Sequence, residues 1–113
     1  MPRHDPLATL RQMRDYAREA IQMVRGRARA DLDADRMLSL PLTRLLEVLR
    51  EAANRIPPKQ HSAYPGIPWR RLIGLRNRLI HDYDRVDLSI LWEIVTRDLP
   101  ALVGELDTIL APE

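Results

Sequence analysis

Residues 38–56 read Leu38-Ser39-Leu40-Pro41-Leu42-Thr43-Arg44-Leu45-Leu46-Glu47-Val48-Leu49-Arg50-Glu51-Ala52-Ala53-Asn54-Arg55-Ile56. Leu38, Leu42, Leu45, Leu46, Leu49, Ala52, Ala53 and Ile56 return every three or four residues, the interval that gathers side chains on one face of an α-helix. A half-buried strand would alternate at every second residue instead. Pro41 lacks the N–H that a helix interior needs, so the helix is expected to start near Pro41 or to bend there. Pro57-Pro58 ends it.

The same period extends in both directions. Upstream, Leu7, Leu10, Met13, Ala17, Ala20, Ile21 and Val24 form a stripe, with Asp5 placed to cap the helix and Pro6 suited to its first turn. The pattern dissolves after Gly26. Downstream, residues 57–68 hold Pro57, Pro58, Pro65, Gly66 and Pro68, the signature of an ordered loop or turn. A third helix is expected to begin near Pro68, to carry Leu72, Ile73, Leu75, Leu79 and Ile80, and to fade after Tyr83. Asp87 then caps a fourth, with Leu88, Leu91, Trp92, Val95 and Leu99 on one face. Pro100 cannot donate to the carbonyl of Thr96, so this last helix is expected to kink or break there before resuming with Leu102, Val103, Leu106, Ile109 and Leu110. No segment reads as a strand. The fold class is all-α: one domain over residues 1–113, an antiparallel bundle of four to five helices.

Composition narrows the function classes. A chain of 113 residues suits one domain. It has no cysteine, which excludes disulfides, thiolate-bound zinc and a cysteine nucleophile. No apolar run approaches the ~20 residues of a membrane span, and the N-terminus lacks the apolar stretch of a secretory signal. A cytoplasmic protein is the expectation. The basic residues are 17 Arg and one Lys at a net charge of only +2. Arginine suits phosphate and base recognition, but so small a net charge confines any nucleic-acid contact to a local patch. Asp31, Asp33 and Asp35 alternate without a glycine-turn calcium pattern and read as a solvated inter-helix loop. No metal site and no cofactor is expected.

The chemistry concentrates in Leu75-Arg76-Asn77-Arg78-Leu79-Ile80-His81-Asp82-Tyr83. An imidazole can take or give a proton near neutral pH, and a guanidinium can hold the charge of a phosphoryl transition state. RNA brings its own nucleophile, the 2'-hydroxyl. On one regular helix Arg76 and His81 would point about 140° apart. Either the helix ends between them or two copies meet across a dyad, and the dimer is preferred because it also supplies two histidines, one as base and one as acid. The plain alternative is a surface histidine at a helix C-terminus. Arg78 and Asp82 have the spacing of a helix-surface ion pair. Arg70 and Arg71 open the motif helix and could reach RNA phosphates. Trp69 and Trp92 are expected in the core or an interface.

Arg76-Asn77-x-x-x-His81-x-Tyr83 resembles the signature of the HepT-like branch of the HEPN family. The flanks resemble it too: Glu51-Ala52-Ala53-Asn54-Arg55-Ile56-Pro57 at the end of the second helix, Ile67-Pro68-Trp69-Arg70-Arg71-Leu72-Ile73-Gly74 before the motif, and Val86-Asp87, Leu91-Trp92-Glu93-Ile94-Val95 and Asp98-Leu99-Pro100 after it. The resemblance implies a dimeric helical bundle acting as a metal-independent endoribonuclease, the toxin of a toxin–antitoxin pair. It implies a small nucleotidyltransferase antitoxin as partner. Arg76 and His81 would be the catalytic pair, with Asn77 supporting them and Arg78, Arg70 and Arg71 supporting or binding RNA. Tyr83 would receive AMP from the antitoxin; its plain reading is a packing aromatic. The alternative function is a non-catalytic helical module that binds a nucleotidyltransferase or a nucleotide. Three features depart from the pattern: Arg50 stands where the family has glycine, Pro41 where a helix former is expected, and Asp84-Arg85 where Phe-Gly would follow the tyrosine. These changes are expected to bear on the partner interface more than on the chemistry.

Overall fold

A computed structural model describes residues 5–81, 83 and 85–112. Among them it contains seven α-helices: α1 (Pro6–Met23), α2 (Ala30–Ala34), α3 (Arg36–Asn54), α4 (Trp69–Ile73), α5 (Leu75–Leu79), α6 (Leu88–Glu93) and α7 (Leu99–Leu110). A 3₁₀ turn (Pro58–Ala63) fills the proline-rich loop, and a π-helical segment (Ile94–Asp98) joins α6 to α7. The described residues hold no strand, only an isolated antiparallel bridge between Ile80 and Val86.

The first apolar stripe forms α1 as its spacing predicts. Asp5 accepts the N–H of Leu7 at 3.0 Å, and Gly26 ends the segment at φ +73°, a conformation that costs glycine little. Residues 30–34, expected as loop, are helical instead. The three aspartates explain why: Asp31 accepts the N–H of Ala28 at 2.7 Å, Asp33 pairs with Arg29 at 2.6 Å, and Asp35 caps α3 through the N–H of Met37 at 3.0 Å. With that cap α3 starts five residues ahead of Pro41 and continues through it. The carbonyl of Met37, which Pro41 cannot serve, belongs to a residue 82% exposed, where water can replace the missing donor.

α1 packs against α3 and α7. Leu10 and Met13, Leu42, Leu46 and Leu49, and Leu99 and Leu106 interlock there, all fully buried or nearly so. Ala17, Ala20, Ala52 and Ala53 are also buried and let the helix backbones approach closely. Leu46 is 1% exposed. Leu46→Ala is expected to cost about 3 kcal/mol, within the usual 2–5 kcal/mol for a buried leucine. The midpoint of urea unfolding measures it, and a loss below about 1 kcal/mol would mean that the core collapses around the gap.

The last helix changes register before its proline. The N–H of Leu99 bonds to the carbonyl of Ile94, five residues back, and Pro100 occupies the first turn of α7. The disturbance expected at Pro100 therefore appears as one widened turn just ahead of it, and the helical path resumes to Leu110.

The expected third helix departs most from its sequence pattern. It begins at Trp69 but is interrupted at Gly74, whose N–H closes α4 on Arg70, and it ends at Leu79 instead of Tyr83. Ile80 turns extended at φ −86°, ψ 122°. The chain then closes on itself: the His81 N–H bonds to the Arg85 carbonyl and the Asp87 N–H to the Leu79 carbonyl, both at 2.8 Å. Asp87 caps α6 through the N–H groups of Ser89 and Ile90, each at 3.0 Å. Two tryptophans anchor the surroundings. Trp69 is buried, stacks on His61 with ring centroids 4.1 Å apart, and donates its indole N–H to Tyr64 at 3.1 Å. Trp92 packs half-buried against the core.

Candidate active site around the end of α5

α5 is one and a half turns long, and only Leu75 and Leu79 of its side chains are buried. The hydrophobic effect fixes those two inward, so the residues between them must face outward on different sides. Arg76 and Arg78, two positions apart, diverge by about 200°. The structure places them in separate grooves. Arg76 lines one of about 190 Å³ with Thr43, Glu47, Arg50 and Glu51 of α3. Arg78 lines another, of about 270 Å³, between α4–α5 and the last helix.

Arg78 is half-buried and donates to Asp98 at 2.8 Å; Arg71 reaches the same carboxylate oxygen at 3.3 Å. One acidic group at the end of the π turn thus ties α4 and α5 to the last helix. The partner expected for Arg78 was Asp82, which lies outside the described residues, as does Asp84. Arg70 and Asn77 are exposed. The predicted set is therefore split: Arg76 faces α3, while Arg71 and Arg78 face the last helix.

His81 does not sit on the helix. It is exposed, two residues beyond Leu79, at the start of the small loop that the Ile80–Val86 bridge closes. The separation of about 140° that a regular helix would impose therefore does not apply. Tyr83 stands at the loop's tip, fully exposed and at φ +50°. A packing aromatic would be covered, so that reading fails. Side chains other than glycine enter the left-handed region at a cost of about 1–2 kcal/mol, and an exposed ring returns no burial energy to offset it. Tyr83→Gly is expected to raise stability by roughly 1 kcal/mol. Thermal unfolding checks this, and a lower melting temperature would show that the ring contributes contacts.

Among the described residues no three His, Asp or Glu side chains cluster as metal ligands, and no helix is long and apolar enough to cross a membrane. Two features of the site were not legible beforehand. Asp98 lies 20 residues from Arg78, and only folding joins them. Arg50, expected to matter at a partner interface, lines the groove of Arg76 itself.

Comparison with known proteins gives the family. The family model for ribonuclease HepT-like proteins matches residues 13–109. A Thermococcus cleftensis protein named "Probable ribonuclease HepT" is 33% identical over 106 residues, covering 88% of this chain and 96% of that one. A candidate RNase of Caldanaerobacter subterraneus is 31% identical over 93 residues, 82% of this chain and 83% of its own. Another, from Methanocaldococcus jannaschii, is 29% identical over 109 residues, covering 96% of this chain and all of its own. No solved structure matches the chain. A match over that length, on an all-helical chain, places the protein in the ribonuclease HepT-like family.

Proposed function

We propose that the protein is a metal-independent endoribonuclease whose catalytic pair is Arg76 and His81. The observation that carries this reading is the end of α5 at Leu79. Arg76 remains on the helix beside a groove, and His81 opens an exposed loop just past it, released from the opposite helix face. In the reaction, one His81 imidazole takes the proton of a ribose 2'-hydroxyl. The 2'-oxygen attacks the adjacent phosphorus, and the 5'-oxygen leaves with a proton from a second imidazole. The guanidinium of Arg76 holds the charge on the non-bridging oxygens, with Asn77 supporting the site. The product is a 2',3'-cyclic phosphate.

Two His81 side chains require two copies of the chain. Support for a dimer comes from α3, where Met37 and Leu40 are 82% and 55% exposed. They share one helix face with Arg44, Glu47 and Glu51, and Glu47 and Glu51 also line the Arg76 groove. Two exposed apolar side chains beside Arg44, Glu47 and Glu51, which pair within the chain, give this face an apolar patch and charges of both signs that a second copy could meet across a two-fold axis.

Tyr83 extends the reading to regulation. A fully exposed tyrosine at a strained loop tip is available to another enzyme. A small nucleotidyltransferase antitoxin would transfer AMP from ATP to the Tyr83 hydroxyl, releasing pyrophosphate. The added phosphodiester, two residues from His81, would compete with RNA for the site's cations. The chain would then be the toxin of a toxin–antitoxin pair in a prokaryotic cytoplasm. The test is cleavage of RNA by the unmodified protein in excess EDTA. Cyclic-phosphate ends are expected. An inert protein whose intact mass shows no adduct on Tyr83 would favour a non-catalytic module that binds a nucleotidyltransferase or a nucleotide.

A further inference from the structure

The groove behind α5 is not used by this chemistry, yet it is a formed site. Its volume is about 270 Å³, at the small end for ligand pockets and right for one planar ring with its sugar. Leu72 and Leu75 on one wall and Leu99 and Leu102 on the other give it an apolar floor. Its charges are polarised. Arg71, Arg78 and Arg97 line it together with the Asp98 carboxylate. Glu105 also lines it, two turns further along the last helix, about 10 Å away. The Glu105 carboxylate lies over Gly66, where a Cβ would make that flexible, exposed side chain shift.

Asp98 fixes Arg71 and Arg78 through one donor each, leaving further N–H groups of each guanidinium for a ligand. Arg97, largely exposed, pairs with Glu93 along the helix at 3.2 Å and can turn to a phosphate at little cost. An apolar slot with cations at one end and an acceptor-only carboxylate at the other matches a nucleotide whose base carries an exocyclic amine. Carboxylates accept from such amines, whereas uracil has no exocyclic amine and offers only its ring N3–H.

Resting on the ribonuclease reading, we propose that this groove holds one nucleotide of the RNA strand away from the cut, with its phosphate on the arginine cluster and the exocyclic amine of an adenine, cytosine or guanine on Glu105. The strand would cross α5, whose width of about 10 Å separates the groove from that of Arg76. The site would thus set a base preference at a position remote from the reacting phosphate.

The test is binding of labelled oligo(A), oligo(C) and oligo(U), each eight nucleotides long, to the cleavage-silent His81→Ala protein. Oligo(A) and oligo(C) are expected to bind about tenfold tighter than oligo(U). Glu105→Gln, whose amide can donate as well as accept, should reduce that ratio below about twofold. Arg97→Ala should weaken all three equally and lower the salt slope by about one. Equal affinity for the three oligomers, a preference that survives Glu105→Gln, or no binding at all overturns the proposal. Free 5'-AMP separates the sources of the nucleotide: competition with oligo(A) supports the strand assignment, and AMP bound without competition overturns it. Cleavage by the wild-type protein is scored separately. A protein that cuts without base preference loses only this groove. One that shows the preference but cuts nothing keeps the groove and loses the catalytic reading.

Discussion

His81→Ala is expected to lower the rate of RNA cleavage by at least 100-fold, and Arg76→Ala by about 100- to 1000-fold. These are the losses expected for a general acid–base group and for a cation that holds transition-state charge. Both side chains are exposed, so neither truncation opens a cavity in the core. The loop holds itself by backbone groups, the His81 N–H bonding to Arg85 whatever the side chain is. Helical content and melting temperature should therefore stay near those of the parent while cleavage disappears. Arg76→Lys keeps the charge but loses the bidentate fork and should recover only a small part of the rate. Cleavage rates on one defined RNA in EDTA, taken beside circular dichroism, check all three variants. If His81→Ala still cuts within tenfold of wild type, the proton-transfer role is wrong.

The second large effect is expected at a surface that touches no substrate. Met37→Glu with Leu40→Glu should leave the bundle folded, because both side chains already face solvent in the single chain. In the proposed dimer the same change buries like charges across the two-fold axis at a cost of several kcal/mol. The protein should then sediment as a monomer, and cleavage should fall at least 100-fold because each site loses its second imidazole. Sedimentation together with the same cleavage assay decides the matter. A monomer that cuts at the wild-type rate would place the whole site within one chain and remove the reason for a dimer.

Both experiments bear on a site whose parts were unequally legible. The stripe from Leu38 to Ile56 and the stripe from Leu7 to Val24 gave two long helices, because the 3.6-residue period is a local property of the chain that burial only ratifies. Asp5, Asp87 and the proline-rich turn were readable for the same reason. A cap or a φ restriction acts on residues two or three positions away. Short-range patterns also misled where two local signals competed. Asp31, Asp33 and Asp35 looked like solvated loop, yet each found a local partner and the segment became α2. Pro41 looked like a helix start or a bend, but Asp35, six residues earlier, supplied the cap and the helix runs through the proline.

The sequence by itself determined an all-helical single bundle, the candidate residues Arg76, His81 and Tyr83, and the family pattern around them. Only the tertiary structure decided how those residues are presented. α5 stops at Leu79 because Val86 returns to pair with Ile80 and Asp87 with Leu79, and no periodicity announces such a closure. That closure takes His81 off the helix and lifts Tyr83 to an exposed tip. Arg76 and Arg78, neighbours in sequence, face different grooves because Leu75 and Leu79 had to be buried between them. Asp98 meets Arg71 and Arg78 because the last helix packs against α5, and a charge that distant in the chain becomes a neighbour only once the apolar faces have come together.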